Sequence, residues 1–169
     1  MLPSKSEIVD LVERVAVACG MNPDAIKGVV SVESSFDPYA ARFEPSFRWT
    51  DSIVQYARAN GITQETEELL QKTSFGLMQI MGGTARSVLM YRGPLPQLFD
   101  PEFNLELGIK HFMKLKESFD GRCDDAISAW NAGSVRKDEY GKYMNQVYVD
   151  KVLNAIRFYQ KYRTQEVTE

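Results

Sequence analysis

Glu33 stands where an acidic side chain has to give up water. Ile26, Val29, Val30 and Glu33 fall at i, i+3, i+4 and i+7 of a segment opened by Asn22-Pro23. A cap followed by a first-turn proline predicts a helix there, and the spacing puts a carboxyl group in its apolar stripe. Withdrawn from water, a carboxyl group favours its neutral form and its pKa moves towards neutrality. A carboxylic acid still protonated near pH 7 can donate a proton to a leaving group. Position alone favours the alternative, a helix-end glutamate that reaches solvent.

Other residues of catalytic type are sparse. His111 is the single histidine, between Lys110 and Phe112, with no second His or Cys at ligand spacing, so a structural role is expected and a metal site is not. The serines near it lack a Gly-x-Ser-x-Gly turn, which argues against a Ser-His-Asp hydrolase. Cys19 and Cys123 form no CxxC. Two buried thiols are the expectation, with one disulfide as the alternative. No metal or cofactor is expected.

The elements that must position Glu33 are mostly helical. With 169 residues the chain has the length of one domain, so residues 1–169 are expected to form one unit; 44% hydrophobic and 25% charged residues suit a soluble chain with a real core. Ser4-Lys5-Ser6-Glu7 reads as a capping box for a first helix ending before Gly20, and the Glu33 helix is expected to stop before Pro38. Residues 42–47 read as an ordered loop. Helices are predicted from Asp51 to Asn60 and, behind a Thr63 cap, from Gln64 to Lys72. Residues 74–84, rich in Gly and Met, read as a structured turn entering a helix near Thr84. Asp100-Pro101 with Asn104 as cap predicts a helix ending around Gly121, a shorter helix spans Asp125 to Asn131 before Gly133, and a closing helix runs from Asn145 to Tyr162. Strand-pairing signals are nearly absent.

Three dispersed motifs occur in order: Glu33-Ser34 with Phe36-Asp37-Pro38, then Gly76-Leu77-Met78-Gln79, then Ala129-Trp130-Asn131-Ala132-Gly133. Together they resemble the motif set of the lytic transglycosylases of the soluble Slt type, within the lysozyme-like superfamily. Tyr148-Val149 matches that family's late Tyr-Val, and the likeness spans roughly Asn22 to Tyr162. It implies a mainly α, lysozyme-like domain of the goose-type lysozyme and Slt catalytic kind. It also implies cleavage of the β-1,4 bond between N-acetylmuramic acid and N-acetylglucosamine without water, leaving 1,6-anhydro-muramoyl ends.

In that reading Glu33 is both acid and base. Ser34 holds the loop start or contacts sugar, Gln79 and Asn131 hydrogen-bond sugar and acetamido groups, Met78 gives apolar contact beneath the sugar, and Tyr148 orients Glu33. Met78 also suits core filling, Asn131 a helix cap, and Tyr148 the core. The partner implied is the peptidoglycan glycan strand, met by a monomer.

Departures from the family pattern are Trp130 in place of Tyr, Gly82-Gly83 in place of Pro-Ala, and Met144-Asn145 before the late Tyr-Val. The separation of 43 positions between Glu33 and Gly76 is about twice that of compact members, so an insertion over about 40–73 is expected to form part of the cleft wall. It contains Glu44. A second carboxylate is what a hydrolase needs to activate water, so Glu44 keeps a muramidase open; an ion pair with Arg42 or Arg48 is its structural reading. Phe43, Phe47, Trp49 and Tyr56 either line a sugar groove or form the insertion's own core. A wall-binding or virion module without turnover is the reading from another class.

A formal charge of −3 gives no basic field for nucleic acid. No run approaches the roughly 20 apolar residues of a membrane span, and the charges at Lys5, Glu7, Asp10, Glu13 and Arg14 are those a signal-peptide core excludes. Since the implied substrate lies in the wall, a phage product delivered with the virion or at lysis is the expectation, or a chain whose export signal was removed.

Overall fold

The capping box at Ser4 forms as the sequence predicts: in the computed structural model, which describes residues 3–166, the Glu7 backbone N–H donates to Ser4 Oγ and Glu7 reaches back to the Ser4 N–H. Helix α1 follows over Lys5–Ala18 and α2 over Pro23–Glu33, the latter capped by the Asn22 side chain. The α2 helix ends four residues ahead of the one preceding Pro38. Ser35 and Phe36 take left-handed backbone conformations (φ 54° and 67°) that no α-helix can continue through.

The chain then forms β1 (Ala41–Phe43), α3 (Ile53–Asn60), α4 (Gln64–Gln71), β2 (Thr73–Phe75), β3 (Ile80–Met81) and α5 (Gly82–Ser87). A 3-10 turn at Leu95–Phe99 leads into α6 (Pro101–Ser118), α7 (Cys123–Ala132) and α8 (Gln146–Glu166). Two expectations need correcting. The stretch read as a loop over 42–47 begins with a strand, and β1, β2 and β3 form an antiparallel sheet in that order, with Arg42 opposite Ser74 and Ser74 opposite Met81. Asn104 is not the cap of α6; Asp100 is, accepting from the Phe103 N–H.

The core gathers the apolar faces of α1, α2, α6, α7 and α8 around Ile26, Val30, Ile109, Phe112, Ile127 and Val152. The helices α2 and α8 pack closely at Gly28, where a Cβ would collide with the Ile156 side chain and come within 3.0 Å of its backbone nitrogen. That close approach brings Tyr148 on α8 to the end of α2.

The 40–73 insertion is an excursion between β1 and β2. Its α4 is fixed by a buried ion pair: Arg86 of α5 donates through Nε and Nη2 to Glu67 (2.8 and 3.0 Å), with both side chains fully buried. Tyr56 of α3 lies over the guanidinium at 4.3 Å, and Arg86 Nη1 donates to the Tyr91 and Gly93 carbonyls. The insertion also explains Gly82-Gly83. A Cβ at Gly83 would come within 2.5 Å of the Phe47 ring and of the Trp49 carbonyl oxygen, and one at Gly82 would strike the Leu70 carbonyl. Residues larger than glycine there would push the insertion away.

Candidate active site

Glu33 is the last residue of α2 and is half-buried. Tyr148, in the first turn of α8, donates its phenol hydrogen to Glu33 Oε1, and Trp130 Nε1 of α7 donates to the same oxygen at 3.2 Å. Burial is the dominant influence on the carboxyl and raises its pKa. The Tyr148 hydrogen bond, the Arg42 charge and the Trp130 hydrogen bond oppose that shift in decreasing order. Burial, with the adjacent Glu33 charge, pushes the Tyr148 phenol up, so Tyr148 stays a donor. The net result is a carboxyl group biased towards its acid form and aimed by two donors on different helices.

Tyr148 owes its position to a polar clasp between α7 and the start of α8. Ser128 Oγ donates to Asn145 Oδ1 at 2.8 Å, while Asn145 Nδ2 donates to the Ser128 carbonyl and to Asn131 Oδ1, each at 3.0 Å. The Asn145 departure thus supplies the stitch. Asn131 lies in the last turn of α7, exposed, with Gly133 as the cap in the left-handed conformation. The loop between the two helices is pinned separately: Tyr143 donates to buried Asp125 at 2.7 Å, and Lys137 pairs with the same carboxylate at 3.0 Å.

The Gly76–Gln79 turn faces the end of α2. Ser34 Oγ donates to the Leu77 carbonyl at 2.8 Å and lies 3.2 Å from the Val30 carbonyl, so Ser34 ties the turn to the end of α2. Gln79 has a left-handed backbone (φ 47°). Its Nε2 donates to the Ala40 and Gly76 carbonyls, each at 2.9 Å, and its Oε1 accepts from Ser74 Oγ at 2.7 Å. Both amide hydrogens are committed to the backbone, which makes Gln79 a brace between β1 and the turn. Only the remaining lone pair of Oε1 is left to a ligand. Met78 requires a correction: its side chain is wholly buried and fills the space left by Gly108 on α6, so it makes core contacts and offers no surface beneath a sugar.

Asn104, expected as the cap of α6, has a different task. Fully buried inside α6, it accepts from the Met78 N–H at 2.8 Å and donates to the Phe75 and Leu98 carbonyls at 2.9 and 2.8 Å. It holds the turn from below. His111, half-buried on the same helix, lies tilted against Trp130 with ring centroids 5.3 Å apart and planes at 46°, and burial lowers its pKa, with the Lys114 charge adding to the effect. It backs the indole, and its burial favours the uncharged ring.

Glu44 forms an ion pair with Arg42, the structural role weighed for it. Of the insertion's aromatic residues, Phe47 packs edge-on against Trp49 (5.6 Å) and on α5, and Tyr56 covers Arg86; Phe43 and Trp49 remain exposed. Cys19 and Cys123 are free, half-buried thiols. Among the described residues no group of three or more His, Cys, Asp or Glu side chains is arranged to hold a metal ion, and no helix is long and apolar enough to cross a membrane.

This geometry can be set beside known proteins. Residues 10–151 match the family described as "Transglycosylase SLT domain". The chain belongs to that family. Membrane-bound lytic murein transglycosylase C from Haemophilus influenzae (strain PittGG) is 26% identical over 167 residues, covering 86% of this chain and 39% of that protein. The Mannheimia succiniciproducens protein of the same name is 26% identical over 133 residues, 75% of this chain and 31% of its own. This SLT domain therefore spans well under half the length of the curated relatives it matches. The fold matches an inactive mutant of lytic transglycosylase Slt from Pseudomonas aeruginosa with a TM-score of 0.58, at 19% identity, over 92% of this chain and 24% of that one. The mainly helical, lysozyme-like architecture expected from the motifs is the one observed, with a small sheet added.

Proposed function

We propose that this chain is a peptidoglycan lytic transglycosylase that cleaves the β-1,4 bond between N-acetylmuramic acid and N-acetylglucosamine and leaves 1,6-anhydro-muramoyl ends. The observation that carries the reading is a partly desolvated carboxyl group, Glu33, held by Tyr148 and Trp130 in an SLT domain where Glu44, the second carboxylate the sequence offers, is engaged by Arg42. Both donors use Oε1, so the acid proton resides on Oε2. Glu33 delivers that proton to the glycosidic oxygen as the bond from C1 breaks, and the N-acetylglucosamine side leaves as an alcohol. The resulting carboxylate then takes the proton of the muramoyl 6-hydroxyl as O6 bonds to C1. The proton count returns to its start and no water enters. The oxocarbenium-like charge at C1 is met by the substrate's own acetamido group and by the ionised Glu33.

The partner in this reading is the glycan strand, engaged by a monomer with Ser34, Gln79 and Asn131 around the scissile sugars. The place of action is the cell wall. The relatives that support this are bacterial proteins named as membrane-bound murein transglycosylases; they lend no support to a phage source, and the proposal does not include one. Mass spectrometry of soluble products from purified peptidoglycan tests the reaction. Muropeptides one water lighter, without reducing ends, are expected. Reducing muramic ends would replace this reading by a muramidase, and release of nothing with glycan binding retained would replace it by a binding module.

A further inference from the structure

The cation whose charge reaches Glu33 is Arg42, and it stands on the segment where this chain departs most from compact members of its family. Its backbone is fixed by the brace that holds the Gly76–Gln79 turn. Ala40, two residues before it, accepts from Gln79 and from the Gly76 N–H; Ser74, opposite it in the sheet, donates to Gln79 and lies 3.4 Å from the Arg42 carbonyl; Glu44, two residues after it, donates its N–H to the Lys72 carbonyl. The Arg42 side chain is two-thirds exposed, and its guanidinium is met at Nε by Glu44, which is also partly exposed.

Such a pair has little to hold it. Exposed ion pairs contribute little, because water and salt screen them, so Glu44 can be exchanged for another carboxylate at small cost. A guanidinium is suited to that exchange, since its planar fork matches a carboxylate in two-point contact. The sugars of a glycan strand are neutral apart from their substituents, whereas the peptide borne by the muramoyl lactyl group carries free carboxylates. The strand bearing Arg42 also offers amide groups beside it. Backbone groups at 40 and 44 bond inwards to β2, so those of Ala41 and Phe43 point to the outer edge of β1, where no further strand pairs among the described residues.

We infer that Arg42 is a specificity-determining residue that binds a free carboxylate of the stem peptide next to the scissile bond, with Glu44 occupying the guanidinium until substrate arrives. The inference rests on the reading of peptidoglycan as substrate and is independent of whether the bond is cleaved with or without water.

The test measures binding without turnover, by calorimetry on the Glu33→Gln protein. The ligands are soluble glycan strands with native stems and the same strands with their carboxylates converted to amides. Native strands are expected to bind about tenfold more tightly, a preference that shrinks as salt is raised. Adding Arg42→Gln should abolish the preference while leaving affinity for the amidated strands in place. Arg42→Lys should restore part of it, and Glu44→Gln should keep or increase it. Equal binding of the two ligands by the Glu33→Gln protein, equal weakening of both by Arg42→Gln, or binding of neither would overturn the assignment. Failure of the catalytic reading shows instead in the products of the wild-type protein: reducing ends with the carboxylate preference intact sink only the transglycosylase, and anhydro ends without the preference sink only the role of Arg42.

Discussion

Glu33 and Tyr148, 115 positions apart, meet through a phenol hydrogen donated to Glu33 Oε1. The contact joins the end of α2 to the start of α8, and Trp130 adds a second donor to the same oxygen. With Oε1 so occupied, the carboxyl group has one orientation and its proton one site, Oε2. Burial keeps that proton bound above the ordinary carboxylate range.

Replacing Glu33 by Gln keeps the acceptor at Oε1 and removes the proton. Turnover of wall material should fall by about 10²-fold or more, the usual worth of a positioned general acid. Stability should move the other way with pH. The native state binds the Glu33 proton more tightly than the unfolded chain does, so its contribution is fully present below the ordinary value of 4.5 and is lost as pH rises through the raised native value. Melting temperatures of the two proteins should therefore agree under acid conditions, with Glu33→Gln becoming the more stable towards neutrality. A wild-type protein that gains on the variant as pH rises would mean that the carboxyl is not desolvated.

Tyr148→Phe removes the larger of the two hydrogen bonds that hold the Glu33 pKa down. The acid should then stay protonated to higher pH, moving the alkaline limb of kcat upwards. At the same time the loss of a hydrogen bond to a charged acceptor lowers kcat by roughly 10–100-fold, with KM little affected. A phenol that merely packs would, on removal, leave the limb in place, so the pH profile decides between the two roles.

Much of this arrangement is legible in local sequence, and the illegible part has a physical reason. The caps at Ser4, Asn22 and Thr63 are chemistry within three residues of each helix start, and the Glu33 stripe is a periodicity within one helix. The sheet is different. Each strand is two or three residues long, and Arg42 meets Ser74 at a sequence separation of 32, so neither alternation nor a tight turn announces it. Asn104 was open to misreading because a buried amide and a helix cap use the same residue type, and only the tertiary position of the Met78 N–H tells them apart. Met78 lies in a motif yet faces Gly108, a partner on another helix that the sequence does not reveal. The late Tyr-Val match gave Tyr148 its expected bond to Glu33, but its support by Asn145 lay in a residue that reads as a departure.

Glu44→Gln separates one carboxylate from two. If Glu44 were a base activating water, its loss would cost about 10²–10⁴-fold in rate and the wild-type products would carry reducing ends. With its carboxylate on Arg42, the variant should retain turnover within about tenfold, the size of a change in one exposed ion pair, and its products should remain anhydro. Product mass spectra with initial rates check both points.

The insertion's attachment can be tested apart from the chemistry. Glu67 and Arg86 are each fully buried and joined by two hydrogen bonds, so Arg86→Met leaves a buried carboxylate without its partner. Breaking such a pair costs about 3–5 kcal/mol, and at roughly 2–4 °C per kcal/mol for a domain of this size the melting temperature should fall by about 6–20 °C. The double replacement Glu67→Leu with Arg86→Met removes both charges and should recover most of the loss, because the desolvation of two ions disappears along with their attraction. Neither Glu67 nor Arg86 bonds to Glu33, Tyr148 or Trp130. Protein that stays folded should therefore keep the alkaline limb of its pH profile. A limb that shifts in the single variant, measured well below its melting temperature, would mean that the insertion reaches Glu33 through more than the position of Arg42.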